Sequence, residues 1–118
     1  PASSAFSEPA APRVTEVRLV GVRPTPKYVG PYPGKFDFVF AITSSGPAEV
    51  KWVLVNQADV AWENGSLRFE AAGTKELRIP IKVGVQGKLW EGWTRLLVYE
   101  PNKIESEQAP YSVDCRGR

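Results

Sequence analysis

The stretch Phe36-Asp37-Phe38-Val39-Phe40-Ala41-Ile42 constrains this chain more than any other. Phe36, Phe38, Phe40 and Ile42 fall on every second position, so in an extended backbone all four side chains point the same way. Three aromatic rings and an isoleucine on one face demand a covering layer. The simplest cover is a second sheet with its own apolar stripe. The stretch therefore predicts the central strand of a β-sandwich.

Other segments repeat the pattern. Val50, Trp52 and Leu54 alternate within Glu49 to Asn56, which places Trp52 in the core opposite the phenylalanine strand. Leu77, Ile79, Ile81 and Val83 alternate in a strand expected beside the phenylalanine strand. Pro80 falls on its opposite face, at an edge or a bulge. Val14 to Val22 predicts a first strand, with Val17 and Leu19 on one face and Val20 and Val22 on the other. Gln57 to Glu63, with Val60 and Trp62 alternating around Ala61, reads as a short edge strand or crossing segment, and Ser66 to Glu70 continues through Leu67 and Phe69. Trp93 to Glu100 and Ala109 to Cys115 complete the set. Between them, 11 prolines and 10 glycines punctuate short runs, which favours strands and turns over helices. Thr43 to Pro47, Ala72 to Thr74 and Pro101-Asn102 read as turns, and Asn64-Gly65 as a tight hairpin. Arg23 to Gly34 reads as a proline-glycine loop, and Gly84 to Gly92 as a second loop. The expected fold is all-β, an immunoglobulin/fibronectin-like Greek-key β-sandwich of seven to eight strands.

The chain has 118 residues, enough for one domain to bury a core without cross-links. Residues 1–12 are rich in Pro, Ala and Ser without any period and read as a flexible leader or linker, with the sandwich at 13–118. The absence of methionine is expected of a processed chain or of a domain cut from a longer protein. No apolar run approaches the roughly 18 to 20 residues of a spanning helix. The net charge of +2 is spread along the chain, which gives no footprint for nucleic acid.

Catalytic chemistry finds little material. With no histidine, Ser-His and Cys-His pairs and histidine metal sites are excluded. No phosphate-binding glycine loop is present. Paired carboxylates such as Asp59 with Glu63, or Glu63 with Glu70, are what 13 acidic residues produce by chance. Asp59, Glu63 and Asn64 offer oxygen atoms to a hard cation but lack the spacing of a known loop, and a plain hairpin accounts for them. No enzyme activity, cofactor or metal is expected. Asn64-Gly65-Ser66 fits the glycosylation pattern, which the turn also explains. The lone Cys115, near the end of the last strand, reads as a small packed residue, then as the relic of a bridge whose partner has been replaced, and last as a reactive thiol, which has no histidine to activate it.

The candidates for ligand contact are aromatic. Trp62, Trp90 and Trp93 lie near turns or strand ends, where flat rings can stack on sugars. Trp90 leads, because glycines flank its loop. Tyr28 and Tyr32 sit in the first loop, either covering the core or facing a ligand.

Several pieces occur in a recognisable order. They are Tyr28-Val29-Gly30-Pro31-Tyr32-Pro33, then Phe36-x-Phe38-x-Phe40-Ala41-Ile42, then Val50-Lys51-Trp52. Leu67-x-Phe69-x-x-Ala72-Gly73-Thr74-Lys75 and Gly92-Trp93-x-Arg95-Leu96-x-Val98 follow, and Pro101-Asn102 with Ala109-x-Tyr111-x-Val113-x-Cys115 comes last. Together they resemble an immunoglobulin-like domain of secreted or cell-surface bacterial proteins, over nearly everything after Val14. The resemblance implies a spacer, adhesion or protein-binding module without catalytic residues. It also implies a cysteine before the proline that precedes the phenylalanine strand, paired with the terminal one. Tyr32 holds that place here, so the resemblance makes Cys115 the remnant of a lost bridge. The two expected functions are thus a protein-binding or spacer module and, as the alternative, a polysaccharide-binding module using the loop tryptophans.

Overall fold

The computed structural model describes residues 11–116. Apart from Ala11 and Pro12, the leader expected at residues 1–12 lies outside the described residues. Nine strands are present among them: β1 (Val14–Arg23), β2 (Lys27–Val29), β3 (Gly34–Ser44), β4 (Ala48–Asn56), β5 (Ala61–Phe69), β6 (Gly73–Val83), β7 (Leu89–Glu100), β8 (Ile104–Glu105) and β9 (Ala109–Asp114). No helix among the described residues is long and apolar enough to cross a membrane.

The strands form two sheets, one in the order β1-β3-β6 and the other in the order β2-β9-β7-β4-β5, with β8 beside β7. The chain passes between sheets after β1, β2, β3, β5 and β6, so β3 pairs with β1 and β6 and not with its neighbours in sequence. This is the immunoglobulin-like sandwich with an added edge strand on the larger sheet, and a buried tryptophan on its third main strand is a hallmark of that fold. Trp52 on β4 occupies that place, 6% exposed.

The alternation of β3 builds the core as its sequence requires. Phe36, Phe38, Phe40 and Ile42 are sealed against Val50, Trp52 and Leu54 of β4, Leu96 and Val98 of β7, and Tyr111 and Val113 of β9. Each such side chain contributes on the order of 1.5–3 kcal/mol by leaving water. Beside β3, Ile81, Ile79 and Leu77 of β6 stand opposite Phe36, Phe38 and Phe40, so one continuous stripe lines the smaller sheet. Pro80 lies on an edge strand, where its missing N–H interrupts no ladder in the middle of a sheet.

Four local expectations are corrected. In β1, a register shift between Leu19 and Gly21 places an extra residue at Val20. The bulge reverses the phase, so Val22 returns to the core opposite Phe38 and joins the face of Val17 and Leu19. The proline-glycine segment contains a strand after all. Its prolines flank Lys27–Val29, and those residues pair in parallel with Ser112 to Asp114.

The Gly84 to Gly92 loop is shorter than expected, since β7 starts at Leu89 and takes Trp90 into the sheet. Finally, Asn64-Gly65 makes no turn. Both residues lie inside β5, opposite Val53 and Trp52 of β4. Gly65 serves close packing there, because a Cβ on it would stand 2.7 Å from Cζ2 of Trp52.

The two sheets are tied at one side by polar side chains. Val14 N–H donates to Asn102 Oδ1 at 2.8 Å, and Asn102 Nδ2 donates back to the Val14 carbonyl at 2.9 Å. Leu19 N–H donates to Glu107 Oε1 at 2.8 Å. These bonds satisfy backbone groups of β1 that its own sheet leaves open.

Two substitutions test this packing. Gly65→Val is expected to lower the unfolding free energy by about 1–3 kcal/mol through overpacking, and an unchanged denaturant midpoint would show that the Trp52 ring does not rest on Gly65. Asn102→Ala is expected to cost about 1–3 kcal/mol by leaving both Val14 groups without their partners, read in the same way.

Candidate functional site

Tyr111 gathers most of the aromatic residues singled out in the sequence. Its ring centroid lies 5.5 Å from Phe36, 5.9 Å from Phe38 and 6.1 Å from Trp62. Trp90 Nε1–H donates to its hydroxyl at 3.0 Å. Tyr28 joins through Phe36, edge to face at 6.4 Å, while its own hydroxyl donates to the Pro31 carbonyl at 2.7 Å. Trp62, Trp90 and Tyr28 are therefore brought together, all half-buried against the core.

Trp93 and Tyr32 stand apart from that group. Trp93 occupies the other face of β7, beneath the Arg95 guanidinium at 5.7 Å. That guanidinium also donates to Asp59 at 2.8 Å and to Glu105 at 3.0 Å. Tyr32 is 50% exposed in the segment before β3.

Of these five residues, Trp62 lines a cleft on the open side of the sandwich. The cleft has a volume of about 590 Å³ and runs between β5 and β6. Trp62 and Glu63 form one wall, and Pro80, Ile81 and Lys82 the other, with Lys35, Phe36 and Asp37 of β3 behind. It exists because a register shift after Leu54 gives Trp62 the extra position of a bulge in β5, which turns its ring toward Tyr111. Asp37 accepts a hydrogen bond from Arg78 Nη1 at 2.9 Å. Glu63, Lys35 and Lys82 make no ion pair among the described residues.

The arrangement offers a half-buried indole, apolar atoms of Phe36 and Ile81, and separate cationic and anionic groups. Such a surface can bind and orient a ligand. Among the described residues no three His, Cys, Asp or Glu side chains cluster as a metal site would require. Cys115 is a buried free thiol just after β9, beside Gly84.

Sequence reasoning missed Tyr111 as the organising ring, and missed Lys35, Lys82 and Glu63 at the cleft. The lysines were recoverable. They flank Phe36 and Ile81, and antiparallel pairing of those two stripes brings Lys35 opposite Lys82.

The fold defined by these sheets is an immunoglobulin-like β-sandwich. A solved structure with this fold is the CARDB domain of the PF1109 protein from Pyrococcus furiosus, in complex with di-metal ions. It superposes with a TM-score of 0.64 at 15% identity, over 87% of this chain and 94% of that one. At that identity the likeness establishes the fold. A second match, alkylpurine DNA glycosylase AlkC of Pseudomonas fluorescens bound to DNA containing an abasic site analog, has a TM-score of 0.45 and 11% identity. It covers 87% of this chain and 30% of that one, and bears on neither fold nor function here. No protein-family model and no curated protein sequence matches the chain.

Burial holds the Tyr111 hydroxyl above its ordinary pKa of 10.0, with the Trp90 hydrogen bond opposing that rise. The unfolded chain then ionises first as pH rises. Stability from this group is full below the ordinary tyrosine value and is lost as pH climbs through the raised one. Urea midpoints taken between neutral and strongly alkaline pH are expected to fall only on the alkaline side. Tyr111→Phe should flatten that limb while costing about 1 kcal/mol at neutral pH, since it leaves the Trp90 N–H without its acceptor.

Proposed function

We propose that this chain is a non-catalytic immunoglobulin-like module, secreted or displayed at a cell surface, that binds an extended segment of a protein partner and spaces the parts of a larger assembly. The observation that carries this reading is the cleft between β5 and β6. It is open and lies between the two edge strands β5 and β6, a place where an extended peptide can be held by side chains. The reading outside the cytoplasm rests on the resemblance of the chain after Val14 to domains of secreted and cell-surface proteins. An adhesion role follows if the partner is itself on a surface.

Polysaccharide binding is the second reading, and Trp62 is what favours it. An indole beside Glu63, Asp37 and two lysines provides a stacking face with hydrogen-bonding groups around it. Trp90 and Tyr28 support it less, because both rings are engaged in packing.

Intrinsic tryptophan fluorescence separates the two. Titration with a panel of extended peptides is expected to change the emission of the native protein and not that of Trp62→Phe. A panel of soluble oligosaccharides is expected to leave the emission unchanged. Quenching by a sugar that disappears in Trp62→Phe would overturn the protein-binding reading in favour of the second.

A further inference from the structure

The outer face of the smaller sheet carries an unusual charge arrangement where it meets the cleft. Lys35 of β3 and Lys82 of β6 are direct register partners in the antiparallel ladder. Both are exposed and both line the cleft. Like charges facing each other across a ladder oppose folding. Neither ammonium has a carboxylate partner among the described residues.

The next rows of the same face add Arg23, opposite Asp37, and Arg78, opposite Val39. Asp37 is the lone carboxylate on these three rows, and Arg78 already occupies it at 2.9 Å. Four cationic groups thus meet one engaged anion on one corner of the sheet. Across the cleft, Glu63 stands beside Trp62 and gives that wall the opposite sign.

From this juxtaposition we infer that the cleft takes an acidic peptide segment, held on its β3–β6 side with its carboxylates between Lys35 and Lys82 and its apolar side chains against Trp62. The inference rests on the protein-binding reading and gives it a ligand class. Alternation suits the site, because an extended peptide sends successive side chains to opposite sides. Carboxylates then face the lysine row, and apolar residues face the indole. Pro80 removes one edge donor at the centre of this wall, so a long added strand is disfavoured. Charge and ring contacts must therefore select the ligand, and binding should be sensitive to salt.

The test uses a fluorescein-labelled peptide of alternating glutamate and valine, and the same peptide with glutamine for glutamate, read by fluorescence anisotropy. The acidic peptide is expected to bind at least about tenfold tighter than the glutamine form, and to weaken as salt rises from about 0.05 M to about 0.3 M. Lys82→Glu and Lys35→Glu are each expected to lose about tenfold or more in affinity. Their melting temperatures should equal or exceed that of the native protein, because the facing charges no longer repel. Loss of binding with an undiminished melting temperature separates recognition from a structural role.

Equal binding of both peptides overturns the acidic ligand and leaves the protein-binding reading standing. Binding of neither overturns the inference, and the wider peptide panel then decides that reading independently. Tighter binding of a matched single-stranded DNA than of the acidic peptide overturns the peptide as occupant.

Discussion

The two sheets meet on the ring of Tyr111. From β9 it reaches Phe36 and Phe38 of β3 across the sandwich, touches Trp62 of the edge strand β5, and accepts a hydrogen bond from Trp90 of β7. A phenylalanine here would supply the area but not the acceptor, and an aliphatic residue neither. The contact fixes more than the distance between layers. It anchors Trp62 at the inner side of β5, and Trp62 in turn forms a wall of the cleft. Core packing and the candidate site therefore share one residue, and weakening the first distorts the second.

The open margins of the sheets are treated unequally. Along β1 the backbone amides of Val14 and Leu19 are taken by Asn102 and Glu107, which closes that side. On the other side β5 carries a bulge, a glycine and the charged Glu63, and β6 carries Pro80, all features that discourage sheet-to-sheet aggregation. Yet these devices leave the space between β5 and β6 unfilled. A margin protected against its own kind but not covered is suited to a ligand recognised by side chains, with backbone pairing in a minor part.

The core was legible in the sequence because period-2 alternation survives wherever a strand is regular. In Phe36 to Ile42, Val50 to Leu54 and Leu77 to Val83 the expected residues face the core, although Val39 and Ala41 on the opposite face of β3 are buried as well. The failures share a cause. Bulges at Val20 and Trp62 insert one residue and invert the phase, and no local pattern announces them. Asn64-Gly65 carries the composition of a hairpin, but Gly65 is demanded by the Trp52 ring, a neighbour across the ladder. Lys27 to Val29 was hidden by the prolines around it, although three residues suffice to pair with β9. Nearby glycines suggest a loop at Trp90, whereas its tether to Tyr111 is a contact between residues 21 apart. Long-range contacts decided each case, and the cleft, built from three strands, was the least visible of all.

A fold shared at 15% identity with another domain constrains the inward rows and leaves the outward ones free. Outward residues on a solvated sheet face are ordinarily interchangeable, and a facing pair of lysines is a poor choice among them. Asp37, one row away, shows that the same face accommodates a carboxylate bonded to a cation. Placing a carboxylate at position 35 or 82 would cost the core nothing, since both side chains are exposed. The sandwich itself thus supplies no reason for the unneutralised pair, and its position on the rim of a cleft lined by an indole supplies one. The proposed recognition therefore falls on exposed positions 35 and 82, although Val39 and Ala41 further along the same face of β3 are buried.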